Sequence, residues 1–232
     1  MILAEELKKE YGQVTALDIN RLEIPKGECF GLVGNNGAGK TTFFRLMLDM
    51  IRPTHGSVSI KGENTAESDS WKQFTGSYLD EAFLINYLTP EEYFRFLAKI
   101  YHCSKKELSE YLEPFSDFFR GEVLGRGKYI RELSKGNIKK VGIVSAFFAS
   151  PEIIILDEPF ENLDPGSQIM LKELIQKEQA EREVTFLISS HDLNHVTEIC
   201  DRIVLLEKGE IIKDLKGDEH TLLTLKTYFQ SN

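Results

Sequence analysis

Gly34-Asn35-Asn36-Gly37-Ala38-Gly39-Lys40-Thr41 narrows what this chain can fold into more than any other stretch. It fits the spacing G-x-x-x-x-G-K-[ST], which works only when a strand enters it and a helix leaves it. Both flanks are present. Glu28 to Val33 (ECFGLV), entered through Pro25-Lys26-Gly27, is a short apolar run of strand formers and reads as a buried strand. From Lys40 to Ile51, apolar residues recur at Phe43, Phe44, Leu46, Met47, Met50 and Ile51, the spacing of a largely buried helix, and Pro53 with Gly56 ends it. In such a turn, glycines let backbone N–H groups converge while the helix N-terminus adds positive potential. Lys40 then reaches phosphate oxygens and the Thr41 hydroxyl binds Mg²⁺. The glycines at 34, 37 and 39 do not have the G-x-G-x-x-G spacing of a dinucleotide turn.

A second constellation lies far along the chain. Ile153-Ile154-Ile155-Leu156-Asp157-Glu158 puts two carboxylates at the carboxyl end of an apolar strand, the edge where open α/β sheets bind ligands. Alone it reads as a polar turn leaving a strand. Beside a phosphate cradle, Asp157 is positioned to hold Mg²⁺, usually through its water, and Glu158 to act as general base on the attacking water, a role worth about 10²- to 10⁴-fold in rate. Val184 to Ser189 is another strand-length apolar run, with a helix from Asp164-Pro165 to about Ala180 between the two, the βαβ pattern of a parallel sheet. Ser57 to Lys61 and Val14 to Ile24 read as strands of a small antiparallel layer, the latter as one or two. Arg202 to Leu206 and Glu210 to Lys213 flank Lys208-Gly209 as a hairpin.

The middle of the chain differs. Thr89-Pro90-Glu91-Glu92 and Ser104-Lys105-Lys106-Glu107 each supply an N-cap and the glutamate of a capping box, so roughly residues 80 to 148 are expected to be a helical insertion. At about 150 residues per domain, 232 residues make one large domain or a core with an inserted subdomain. The expected fold is α/β: a P-loop NTPase core with a mostly parallel sheet, an N-terminal antiparallel β subdomain and an inserted α-helical subdomain.

Composition removes other classes. A net charge of −9 lacks the basic footprint of a general phosphate-backbone binder, so nucleic acid is not expected as a partner. Three separated cysteines (Cys29, Cys103, Cys200) without a CxxC pair argue against a disulfide framework or a zinc site and suit a reducing compartment. The start, MILAEELKKEYGQ, lacks a signal-peptide stretch, and charges interrupt every apolar run before it could span a bilayer. Arg120 to Lys140 holds seven cations against Glu122 and Glu132, a basic island that is either a surface presented to polyphosphate or a solvated helical face.

With these residues in hand, the chain resembles the ATP-binding cassette (ABC) family along essentially its whole length, most closely the cassettes that serve separate exporter permeases of the ABC-2 kind. The resemblance implies ATP and Mg²⁺ as cofactors. Nucleotide contacts would come from Gly34, Asn35, Asn36, Gly37, Ala38, Gly39, Lys40, Thr41 and Thr42. Leu133-Ser134-Lys135-Gly136-Asn137 looks like the family signature, with Lys135 and Asn137 in place of the usual glycine and glutamine. Ser134 and Gly136 would contact the γ-phosphate of ATP held by a second subunit, so a head-to-tail homodimer is implied. Tyr11 matches the aromatic residue that stacks on adenine, or is a core tyrosine. His191 matches the switch histidine on the γ-phosphate, and Asp164 is both a D-loop residue and an N-cap before Pro165. Glu81 stands where the family has a glutamine and would bind Mg²⁺ through water. Catalysis would fall to Glu158, His191 and Lys40, and the metal to Thr41, Asp157 and Glu81.

Phe83 to Leu88 would help form a groove for a permease helix, or fill the core of the helical insertion. The expected protein is a cytoplasmic ATPase subunit, peripheral on the inner face of the cell membrane through its permease. The rivals are a non-transport cassette, a P-loop kinase, and a slowly hydrolysing regulatory subunit.

Overall fold

The computed structural model describes residues 2–231. In chain order its strands are Ile2–Tyr11 (β1), Val14–Ile24 (β2), Cys29–Val33 (β3), His55–Ile60 (β4), Glu63–Asn64 (β5), Thr75–Tyr78 (β6), Ile153–Leu156 (β7), Thr185–Ser190 (β8), Arg202–Glu207 (β9) and Glu210–Lys216 (β10). Its α-helices are Lys40–Met47 (α1), Pro90–Ile100 (α2), Lys105–Leu112 (α3), Ser116–Phe119 (α4), Lys135–Ala146 (α5), Pro165–Arg182 (α6), Leu193–Ile199 (α7) and Thr221–Ser231 (α8).

Alternation sets the first layer. Leu17, Ile19, Leu22 and Ile24 of β2 are buried while Asp18, Asn20, Arg21 and Glu23 face out, the period of a sheet covered on one side. This sheet runs β2-β1-β4-β5, antiparallel throughout. Strand β1 was not expected, because Glu5, Glu6, Lys8 and Lys9 hide its apolar positions, and Val14–Ile24 is a single strand.

The second sheet runs β10-β9-β3-β8-β7-β6, parallel from β9 to β6 with β10 antiparallel at one edge. Its inner strands are apolar on both faces because both faces are covered. Phe30, Leu32, Ile153, Ile155 and Leu187 pack toward α1 and the antiparallel sheet. Cys29, Val33, Ile154, Leu156 and Phe186 pack against the helices of the opposite side. The P-loop helix therefore lies between the two sheets, which fixes the direction in which its N-terminus points.

Helix α1 is shorter than its apolar pattern, ending at Met47 where Ile51 was expected. Asp49 turns left-handed (φ +50°) and pairs with Arg52 at 3.1 Å, and Met50 is exposed beyond it. Between β6 and β7 the regular elements are helical, and both capping boxes form, Thr89 with Glu92 and Ser104 with Glu107. Helix α6 runs two residues past the expected Ala180, and β9–β10 form the expected hairpin. Among the described residues no helix is long and apolar enough to cross a membrane.

Candidate functional site

Between β3 and α1 the backbone makes a turn whose last step requires glycine. Gly39 has φ +111°, and a Cβ there would lie 2.7 Å from the Ala16 carbonyl oxygen. The turn delivers Lys40 to the first position of α1 with its side chain only 7% exposed. Its ammonium donates to the Gly34 carbonyl at 2.7 Å and lies 3.3 Å from Glu158 Oε1. Ala16, the run from Asn36 to Thr42, and Glu158 enclose a cavity of about 190 Å³. Asn35 lines a smaller one, about 70 Å³, with Leu206, Glu207 and Tyr228.

Strand β7 supplies the opposing wall. Asp157 Oδ2 accepts the Thr41 hydroxyl at 2.5 Å, and Oδ1 accepts the Ser189 hydroxyl. Ser189 Oγ in turn accepts the Glu158 N–H at 2.8 Å. Glu158 Oε2 accepts the His191 N–H at 3.2 Å and stands 2.9 Å from His191 Nδ1. Ser189 and His191 reach this point because β8 pairs in parallel with β7, Leu156 opposite Ile188. Burial pushes the Asp157 carboxyl above its usual range, against the pull of the Ser189 and Thr41 hydroxyls. Glu158 Oε1 is buried and accepts no hydrogen bond, although Lys40 is its ion-pair neighbour.

Five sequence-derived residues (Lys40, Thr41, Asp157, Glu158 and His191) thus meet at the carboxyl ends of β3, β7 and β8. Ser189 was missed as a site residue. Its only signal was position, two residues before His191 on a strand end. The Thr41 hydroxyl and Asp157 carboxylate are hard oxygen donors of the kind Mg²⁺ takes, and Mg²⁺ ordinarily completes its shell with water and phosphate oxygens. Among the described residues no group of three His, Cys, Asp or Glu is gathered to hold a metal. Glu81, exposed in a short 3₁₀ turn after β6, lines a second cavity of about 330 Å³ with Asp157, Glu158, Lys139 and Glu161.

Other expected residues lie elsewhere in this chain. Ser134 caps α5, accepting the Asn137 N–H at 3.3 Å, and faces an open cavity of about 440 Å³ with Arg126 and Lys128, not the P-loop cavity. Gly136 sits where a Cβ would meet the Asn162 carbonyl oxygen at 2.6 Å, so α5 approaches the segment after Glu158 as closely as a glycine permits. Tyr11 is exposed at the β1–β2 turn opposite Val14, so it is not a core tyrosine. The basic island is split. Arg120 and Lys140 reach Asp164 at 2.8 and 3.6 Å, and Lys139 and Lys140 turn inward, leaving Arg126 and Lys128 at the open cavity.

Strand, glycine turn, buried lysine and a strand-end carboxylate bound to the turn's threonine define an α/β nucleotide-binding protein of the P-loop class. A profile of the ABC transporter family matches residues 17–161. The uncharacterised ABC transporter ATP-binding protein YhaQ of Bacillus subtilis (strain 168) is 37% identical over 216 residues, 90% of this chain and 69% of that one. The bacitracin transport ATP-binding protein BcrA of Enterococcus faecalis is 33% identical over 221 residues, 94% of this chain and 70% of that one. Among solved structures, a dimeric ATP-binding cassette in a post-hydrolysis state with ADP and Pi superposes with a TM-score of 0.82 at 25% identity, covering 94% of this chain and 99% of that one. The chain belongs to the ABC transporter family, as an ATP-binding cassette with ATPase activity.

Proposed function

We propose that this cassette binds and hydrolyses ATP to power export through a separate membrane permease, working as a homodimer held at the inner face of the cell membrane by that permease. The observation that carries the catalytic reading is the double link from the phosphate turn to the end of β7, Thr41 to Asp157 and Lys40 to Glu158. Cation, hydroxyl and both carboxylates converge where a γ-phosphate held by the turn would lie. Lys40 exchanges its Gly34 carbonyl for phosphate oxygens, and Glu158 takes the proton of a water attacking in line. His191, held on Glu158, contacts the γ-phosphate. Thr41 and Asp157 would hold Mg²⁺, which would supply neutralising charge to the phosphate oxygens. The remaining residues of the turn, Gly34 to Thr42, bind the phosphates through backbone N–H groups, and exposed Tyr11 stacks on the base.

Separation of Ser134 from the P-loop cavity favours a shared site. Ser134 and Gly136 complete the site of the opposite subunit, each dimer holding two ATP molecules. Residues 1–232 act as one ATPase domain, with roughly 80 to 148 as the inserted helical subdomain that meets the permease. The export assignment rests on the resemblance to cassettes that serve separate exporter permeases, and a bacitracin transport ATP-binding protein is among the relatives. Lys40→Ala is expected to abolish ATP binding or turnover, since it removes the phosphate-facing cation. Glu158→Gln is expected to keep ATP bound and to elute as an ATP-dependent dimer in gel filtration while hydrolysing at least about 10²-fold more slowly. Wild-type ATPase activity in Lys40→Ala would remove the nucleotide reading, and a Glu158→Gln chain that stays monomeric with ATP would remove the shared site.

A further inference from the structure

Glu158 is held in a backbone conformation that its sequence disfavours. Its φ is +46°, a region costly for any residue with a Cβ, and it precedes Pro159, which biases a residue toward extended backbone. Such a residue persists where its surroundings over-determine it. Here the N–H is fixed by Ser189 Oγ at 2.8 Å and the carboxylate by His191 and Lys40. The carbonyl accepts the Glu161 N–H at 3.3 Å and, more closely, the ammonium of Lys139 at 2.6 Å.

Lys139 comes from the second turn of α5, the helix capped by Ser134, and its side chain is 11% exposed. Its nearest carboxylate, Glu161 Oε2, is 3.8 Å away, longer than a direct hydrogen bond. Burial pulls the Lys139 pKa down, opposed by Glu161, Glu158, Asp157 and Asp80, so the cation is kept at a desolvation cost. It lines the 330 Å³ cavity beside Glu158 but not the cavity of the phosphate turn.

We propose that Lys139 is a positioning residue for hydrolysis. Its charge-assisted bond to the Glu158 carbonyl holds that peptide left-handed and so aims the Glu158 carboxylate between Lys40 and His191. This rests on the reading of Glu158 as the general base. Because Lys139 lies on the helix that Ser134 caps, any shift of that helix when a second subunit closes on Ser134 is transmitted to the base through one hydrogen bond.

The test is steady-state ATPase kinetics on the full chain for Lys139→Met, Lys139→Arg and Glu158→Gln, with thermal midpoints measured alongside. Lys139→Met keeps the stem and loses the donor. It is expected to lower kcat about tenfold or more, as a displaced catalytic group does, with KM for ATP within about twofold of wild type and the midpoint retained. Lys139→Arg, which keeps a cationic donor, is expected to stay within about threefold of wild-type kcat. If the methionine chain does not fold, Lys139→Gln, too short to reach the carbonyl, carries the same expectation as methionine. Wild-type kcat in Lys139→Met, or equal losses in the methionine and arginine variants, would overturn the proposal. Wild-type turnover in Glu158→Gln would instead overturn the assignment of the base, whatever Lys139 does.

Discussion

Asp157 is buried at the end of β7 with two hydroxyls on its oxygens, and its ionised form is disfavoured there. Since its folded pKa is raised above the unfolded value, the stability it contributes is complete below the unfolded pKa and is lost as pH rises through the folded one. Above its folded pKa the Asp157 carboxylate therefore carries a charge that burial penalises. Asp157→Asn is expected to raise the thermal midpoint of the nucleotide-free chain, by roughly 2–4 °C for each ~1 kcal/mol relieved, while hydrolysis is lost. The gain should shrink as pH is lowered toward the carboxylate range. Thermal scans at two pH values check this, and a lowered midpoint at neutral pH would contradict it. Lys40, Thr41, Asp157 and Glu158 were legible in the sequence because each sits in a local pattern of strand end and turn. Ser189 was not, because its value depends on the β7–β8 register. Lys139 was counted in a charged run, and only the fold shows that it turns inward to a carbonyl.

Caps were the most legible feature of the elements. Thr89, Ser104 and Asp164 all accept the hydrogen bonds their sequences foretell, since an N-cap needs only its own next few residues. Asp164 accepts from the Ser167 N–H at 3.1 Å and from its hydroxyl. The Ser167 bonds, then Arg120 and Lys140, hold its carboxyl at about 2. A depressed acid contributes stability above its unfolded pKa and loses it as pH falls through the folded value, so this contribution fades between roughly pH 4 and pH 2. Asp164→Ala is expected to cost about 1 kcal/mol as a lost cap, read as a lower urea midpoint at pH 7 and a smaller difference as pH falls toward 2. Arg120→Ala should cost less, because the Asp164 side chain is 43% exposed and water screens that pair. The stop of α1 was not legible, since nothing in Leu48-Asp49-Met50 marks Asp49 as left-handed.

At the scale of the molecule, the two-layer arrangement followed from strand-length apolar runs separated by helical pattern, whereas β1, α7 and α8 carry mixed patterns that only packing resolves. Phe83 and Tyr87 show why surface and core could not be told apart beforehand. Neighbouring Leu84 is buried, but they are 53% and 64% exposed. Replacing both by serine should therefore move the thermal midpoint of the isolated chain by no more than about 1–2 °C, as surface changes do, while co-purification with a permease is lost. A fall of many degrees would make them core residues after all. The strand order has a further consequence, for how the molecule comes into being. Among the described residues the central strand β3 is paired only with β8 and β9, Cys29 lying beside Phe186 and Phe30 beside Arg202, so no strand partner there is nearer than about 150 residues along the chain. At synthesis rates of about 5–20 residues per second, the P-loop strand waits roughly 10–30 s on the ribosome for the chain that will cover it. The antiparallel layer, complete by Asn64, can pair in that interval. The nucleotide site is thus among the last parts of this protein to form, and a nascent chain truncated between α1 and β8 carries an intact phosphate motif without the neighbouring strands that hold its strand in place.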